Sequence, residues 1–350
     1  MKNILEMRTF SAVLQICGWL GCLVLAGACR NESSCYDPVD VSKIEAPVRI
    51  VRLEETLFTL KTADEVRAWL RKYPDLAEKY FQLNRLPHDS VLINPILAMT
   101  QEPHQDTLLR DVRQKYPDLK TLELEFEAAF KHLKYYFPDF KVPRIYTLTT
   151  GLGSFFGTDV MVGEGIVVIS LDFFLGKAAR YRPPVEQMPD YIWKRYHEGS
   201  IVPTVMLYLS NRYNQTQLED KTLLAEMVYY GKAYHFVRQM MPCLPDSLLY
   251  GYTETELNNL AREDNRDYIW NHFIEKNVLF SNSQFVKNTY LDERPYVAEI
   301  NAKCPGRIGR WLGVRIIENY RRRNPKIGLP ELMATADAPL LFNRSGYNGQ

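Results

Sequence analysis

These 350 residues contain no His-Glu-x-x-His, no Gly-x-Ser-x-Gly, no Cys-x-x-Cys and no glycine-rich loop leading into Lys-Ser/Thr. The usual signatures of zinc peptidases, nucleophile elbows, thiol redox centres and phosphate loops are therefore missing. An excess of one charge is missing as well. With 43 Lys+Arg against 42 Asp+Glu, no strong net field gathers nucleic acid or an anionic surface. Low-complexity tracts are absent, and 22 Tyr with 16 Phe fit a packed core rather than a disordered polypeptide. Cysteine is sparse. Cys17 and Cys22 lie in the apolar N-terminal segment and Cys29 ends it, which leaves Cys35, Cys243 and Cys304. Three is an odd number and defines no disulfide framework. A Cys243–Cys304 bridge and two unrelated buried thiols stand as alternatives.

What is present begins at the N-terminus. Thr9 to Ala28 is uncharged, preceded by Lys2 and Arg8, diluted by Ser11, Gln15 and three glycines, and closed by small residues. That is the grammar of an export signal. Leu25-Ala26-Gly27-Ala28-Cys29 resembles a bacterial lipobox, in which Cys29 is lipidated and becomes the first mature residue; an uncleaved N-terminal anchor is the alternative. Two or three acyl chains, at about 0.8 kcal/mol per buried methylene, give a durable anchor where one does not. Residues 1–28 thus read as a lipoprotein signal peptide, 29–47 as a tether and 48–350 as the folded domain. Arg30 after the cysteine implies, by likeness to Gram-negative lipoproteins, sorting to the outer membrane.

Along the domain, Val48–Leu60 alternates apolar and charged residues and predicts an opening strand. Thr62 starts a helix with Asp64 and Glu65 in its first turn. Lys-Tyr-Pro-Asp-Leu occurs at 72–76 and again at 115–119, which reads as two helix breaks using one turn chemistry rather than as a duplication. Thr121–Phe137 carries a stripe of Leu122, Phe126, Ala129, Phe130 and Leu133 and predicts the clearest helix. A strand at Arg144–Thr149 follows, then a hairpin turning at Gly163-Glu164-Gly165, then helices over about 200–213 and 218–240. Thr253 and Glu256 have capping-box spacing. Leu279–Val286 reads as a loop, and the last helix as about 307–323. Its Gly306, Gly309 and Gly313 each cost about 1 kcal/mol relative to alanine, so they predict close backbone approach, against the helix carrying Gly231.

The chemistry is expected between the two central helices. His197-Glu198-Gly199-Ser200-Ile201 opens like a zinc motif and fails at Ile201, so it reads as a solvated loop. Thr149 to Ser154 reads as a tight turn, since no helix follows to gather amides on a phosphate. Met206, Leu207 and Tyr208 stand where ligands would be needed on the first helix. On the second, Tyr230-Gly231-Lys232-Ala233 stands where Glu-Gly-x-Ala would supply a third ligand. Met206, Leu207, Tyr230 and Lys232 are the candidate cleft. Lys232 either replaces a metal's charge or packs its stem with its head in water.

The lipobox, Leu171 to Gly176, Met227 to Lys232 and Pro305 to Gly313 together resemble the gliding-motility lipoprotein GldB family, over most of the mature protein. The resemblance implies an outer-membrane lipoprotein of a gliding or surface-secretion machine, with the periplasmic face favoured over the surface. It implies envelope proteins as partners and supplies no catalytic residue. The expected fold is α+β, a mostly helical single domain with a small mixed sheet, zincin-like without the metal site. No cofactor, metal or nucleic acid is expected. A peptidase with an atypical centre, or a peptide-binding periplasmic lipoprotein, is the alternative.

Overall fold

A short central strand with every side chain buried divides the molecule into two cores. The computed structural model describes residues 35–36 and 39–350. The expected signal segment and Cys29 lie outside them, and Tyr36–Gln350 forms one unit. The sheet orders β1 (Ile50–Arg52), β2 (Arg144–Leu148), β4 (Ile166–Ser170) and β3 (Val160–Gly163), with β1, β2 and β4 parallel and β3 antiparallel at the edge. In β4 the run Ile166-Val167-Val168-Ile169 is apolar without alternation because both faces are covered. Ile145, Val167 and Ile169 point into one core, and Tyr146, Leu148, Ile166 and Val168 into the other.

The second core is closed by α1 (Ala63–Lys72) and α2 (Ser90–Gln101). Thr62 starts α1 as expected, and the structure adds a capping box there, with Glu65 reaching back to the Thr62 amide. The first core is larger, and packs α4 (Lys120–Tyr136), α5 (Ile201–Ser210) and α6 (Leu223–Met240) against the sheet. Between α2 and α4 runs α3 (Pro103–Lys115), which the sequence pattern does not announce. The two Lys-Tyr-Pro echoes end α1 and α3 in the same way. Tyr73 and Tyr116 adopt φ −125°, ψ 68° and φ −120°, ψ 69°, the extended-side conformation that a following proline imposes.

The polypeptide then folds through α7 (Asp246–Tyr250), α8 (Glu254–Ala261), α9 (Glu263–Glu275) and α10 (Gln284–Leu291) to α11 (Ile308–Arg323). The Thr253–Glu256 capping box opens α8 as its spacing predicts. Two further helices, α12 (Leu329–Ala334) and α13 (Ala338–Ser345), follow the one expected to be last.

Three expectations are corrected. The strand predicted over Val48–Leu60 is only Ile50–Arg52, and a helical turn, Glu54–Leu57, follows it. A strand would send Leu57 and Phe58 to opposite faces, whereas the turn buries both in one core. The end of the expected tether is laid on the body: Ala46 is buried, and the Tyr36 N–H donates to the Pro242 carbonyl at 2.9 Å. Cys304 is a free, buried thiol while Cys243 is disulfide-bonded, as is Cys35, which removes both the Cys243–Cys304 bridge and the pair of buried thiols.

The glycines of α11 do what their cost predicts. A Cβ on Gly313 would overlap the Met227 carbonyl oxygen of α6, and one on Gly231 would overlap the Gly313 carbonyl oxygen. Gly309 meets Met227 and the end of α10, while Gly306 is pressed on the Arg294 backbone instead. Gly313→Leu should therefore cost at least about 2 kcal/mol, since neither backbone can yield without opening the core. An unchanged urea midpoint for that variant would disprove the crossing.

One turn along α6 from Gly231, His235 is buried with its Nε2 unpartnered, edge-on to Tyr36. Burial first, and Arg321 and Arg238 second, push its pKa from 6.5 down to about 3. The unfolded state then binds a proton that the folded one refuses. Stability present above pH 6.5 is lost on acidification toward pH 3, at about 1.4 kcal/mol per pH unit. His235→Phe should remove that slope. Parallel acid limbs for the two proteins, in urea titrations between pH 7 and 4.5, would contradict it.

Candidate functional site

Helices α5 and α6, the loop before α5, α7 and the start of α11 enclose a cavity of about 670 Å³. From α5 it takes Pro203, Thr204, Leu207, Tyr208 and Asn211, the three-and-four spacing of one helical face. Proline is tolerated at 203 because it sits in the first turn, where its missing N–H has no partner to lose. From α6 come Tyr229, Tyr230, Ala233, Tyr234 and Val237.

Of the four residues expected in the cleft, Leu207 and Tyr230 line the cavity. Met206 is fully buried in the large core, on the opposite face of α5. Lys232 lies outside the cavity lining, on another face of α6. Its Nζ donates to the carbonyls of Gln215 at 2.6 Å, Thr335 at 2.8 Å and Met333 at 3.4 Å. Its head meets neither a metal's place nor water. It ties the loop after α5 and the end of α12 to α6, and burial pushes its pKa down to about 8. Burial of the charge is tolerated because three carbonyl dipoles converge on it.

Sequence reasoning passed over Thr204 and noted Tyr208 only as a residue standing where a ligand would be needed. They stand four apart on the cavity face, the spacing at which a zinc helix carries its two histidines. Together with Tyr230 across the gap they present hydroxyls. Burial holds Tyr208 and Tyr230 above the ordinary phenol range, so both stay protonated at neutral pH and make poor zinc donors. Thr204 already donates to the Ser200 carbonyl at 2.7 Å. Among the described residues, no group of three or more His, Cys, Asp or Glu side chains gathers to hold a metal. The signal that could have found this face is the stripe Ser200, Thr204, Tyr208 and Asn211 on an otherwise apolar helix.

The approach to α5 is tied down rather than solvated. His197 and Ser200 are half-buried cavity residues, and Glu198 pairs with Lys115 at 2.7 Å. Burial, then Lys115 and Lys177, lower the His197 pKa. The loop after β2 is a tight turn, with Gly151, Leu152 and Gly153 all left-handed. Most of its amides serve the protein: Asp172 accepts from the N–H of Thr150 at 3.1 Å and of Leu152 at 2.7 Å, and the Gly153 N–H donates to the Thr150 hydroxyl at 3.2 Å.

The other wall is cationic. Arg307, left-handed at φ 61°, is almost buried at the start of α11, donates to the Tyr250 carbonyl at 2.8 Å and pairs with Glu293 at 3.3 Å. Arg195 holds the same carboxylate at 2.8 Å. Burial works to raise the pKa of Glu293, but these two arginines outweigh it and keep it ionised below its usual range. One turn into α11, Arg310 stacks its guanidinium 4.2 Å from the centre of the Tyr230 ring, and its Nε donates to the Leu291 carbonyl at 2.6 Å. Asp159, the other carboxylate of the cavity, accepts from the Tyr196 hydroxyl at 2.7 Å.

Against known proteins, a family model described as gliding motility protein GldB matches residues 34–349. Neither a curated protein nor a solved structure matches the sequence. Among the described residues no helix is long and apolar enough to cross a membrane.

Proposed function

The chain belongs to the gliding motility protein GldB family, and from that premise we propose that it is a non-catalytic lipoprotein, a structural or binding component of a gliding or surface-secretion machine in the cell envelope. Lipidation of Cys29 holds it on the outer membrane, on the periplasmic face, and the folded unit reaches its protein partners from there. The observation that carries the non-catalytic reading is the donor set of the cavity. Thr204, Tyr208 and Tyr230 offer neutral hydroxyls between the helices, and the cavity's carboxylates are already engaged, Glu293 by Arg195 and Arg307 and Asp159 by the Tyr196 hydroxyl. Among the described residues no three His, Cys, Asp or Glu side chains gather as a hydrolytic zinc would need.

On this reading the scaffold is zincin-like and stripped of its metal. What supports that is the order of a strand, a hairpin with an antiparallel edge, and two helices whose facing sides bound one cavity. A peptide-binding role is the companion reading. It is favoured by a wall of seven tyrosines, which give ring faces to apolar side chains and hydroxyls to backbone groups.

The test is to purify the protein from its own membranes, measure its metal content, and assay cleavage of a denatured protein substrate before and after zinc addition. We expect substoichiometric metal and no cleavage in either state. A photo-crosslinking residue in place of the exposed Tyr268 should capture an envelope protein in cells, and Cys29→Ala should abolish palmitate incorporation. One equivalent of zinc accompanied by proteolysis would overturn the proposal.

A further inference from the structure

The cavity holds more positive charge than the protein itself neutralises. Five cations line it, Lys177, Lys194, Arg195, Arg307 and Arg310, against two carboxylates, Asp159 and Glu293. Glu293 is taken by Arg195 and Arg307, and Asp159 accepts from Tyr196 and the Val160 amide. Arg310, Lys194 and Lys177 have no carboxylate partner among the described residues. Arg310 is the most constrained of the three. The Tyr230 ring beneath its Cζ and the bond from Nε to the Leu291 carbonyl restrain the guanidinium, while its terminal nitrogens have no protein acceptor among the described residues. A planar fork held rigid and half-buried, with two donors unused, is the arrangement that binds a carboxylate in bidentate fashion.

The rest of the wall says what bears that carboxylate. A volume of about 670 Å³ far exceeds an inorganic anion. Beyond the charged groups, the lining mixes tyrosine rings and apolar side chains such as Pro203, Leu207 and Val237 with polar ones such as Thr204 and Asn211, a surface for mixed side chains rather than for acyl chains. We propose that this cavity binds a peptide segment through a carboxylate received by Arg310, with Lys194 as the second cation and the tyrosine wall taking the neighbouring side chains. This rests on the non-catalytic, peptide-binding reading above and adds its recognition chemistry. The carboxylate comes either from the free C-terminus of the peptide or from an Asp or Glu side chain within it.

Three acetylated hexapeptide pools separate these sources in calorimetric titrations with the full-length protein: one with a free C-terminus and no acidic residue, one amidated with a single internal Glu, and one amidated with no carboxylate. At least one of the first two should bind about tenfold more tightly than the third. The tighter of them identifies the source. Arg310→Met should erase the difference, Arg310→Lys should restore part of it, and Lys194→Gln should weaken it about threefold, at unchanged circular dichroism. Equal binding of all three pools, binding of none, or retention by Arg310→Met of the carboxylate preference would overturn the proposal. So would binding confined to inorganic phosphate or to anionic phospholipid vesicles. Mass spectra of the same samples keep the two readings apart. Cleaved peptides would sink the non-catalytic reading and leave the carboxylate requirement standing, whereas intact peptides bound without that requirement would do the reverse.

Discussion

The contact on which the structure depends is the crossing of α6 and α11, where Gly231 and Gly313 bring two backbones together with no side chain between them. Any Cβ at either position would stand inside a carbonyl of the opposite helix. Such proximity gains dispersion along both backbones and repays the conformational cost of glycine within a helix. It also fixes rotation as well as distance, because only one face of each helix is small enough to approach.

From that fixed rotation the cavity follows. Arg310 lies three residues before Gly313 and Tyr230 one before Gly231, so closing the crossing seats the guanidinium on the ring. Arg307 is swung toward Tyr250 and Glu293 by its left-handed backbone just before α11 begins. On its opposite side α6 is braced by Lys232, whose ammonium gathers carbonyls from two distant segments. One helix thus carries a structural cation on one side and shows tyrosines to the cavity on another, two residues apart in sequence. Burial alone does not distinguish these roles; the partners do.

What was legible in the sequence is what local rules determine. The periodicity of 121–137, the hairpin turn at Gly163-Glu164-Gly165, the helix start at Thr62, the capping box at Thr253, and the close approach of Gly309 and Gly313 are each written in a few neighbouring residues, and the structure has all of them. The extent of β1 was not legible, because the residues after Arg52 are shaped by a core whose other half lies beyond residue 90. The helices α12 and α13 are short and carry proline near their starts, so periodicity has too few turns to register. Of the candidate cleft, Tyr230 was readable from its glycine neighbour. Met206 and Lys232 were misplaced for one reason: motif analogy gives the helix, whereas the face it turns inward is set by packing. Counting in threes and fours from Ser200 would have led to Thr204 and Tyr208 instead.

The pattern of replacement bears on what the cavity does. On the proposed zincin-like reading, a helix that had merely lost its metal ligands would be free to fill the gap with aliphatic side chains, as Met206 and Val205 fill the core on the other face of α5. The cavity face instead keeps hydroxyls at three facing positions and an arginine held flat on one of them. Half-buried guanidinium and phenol groups cost desolvation that an apolar filling would avoid. A volume of this size, left open and lined with groups that want partners, is a costly feature for a purely structural element. On the proposed peptide-binding reading the cavity is retained for its occupant, whose carboxylate would replace water on the unspent donors and the positive charge. On the proposed zincin-like reading, the positive centre of the site has passed from an exchangeable ion to a covalently fixed side chain, and with that change the site keeps electrostatic attraction for an anionic group while giving up a metal's capacity to activate water.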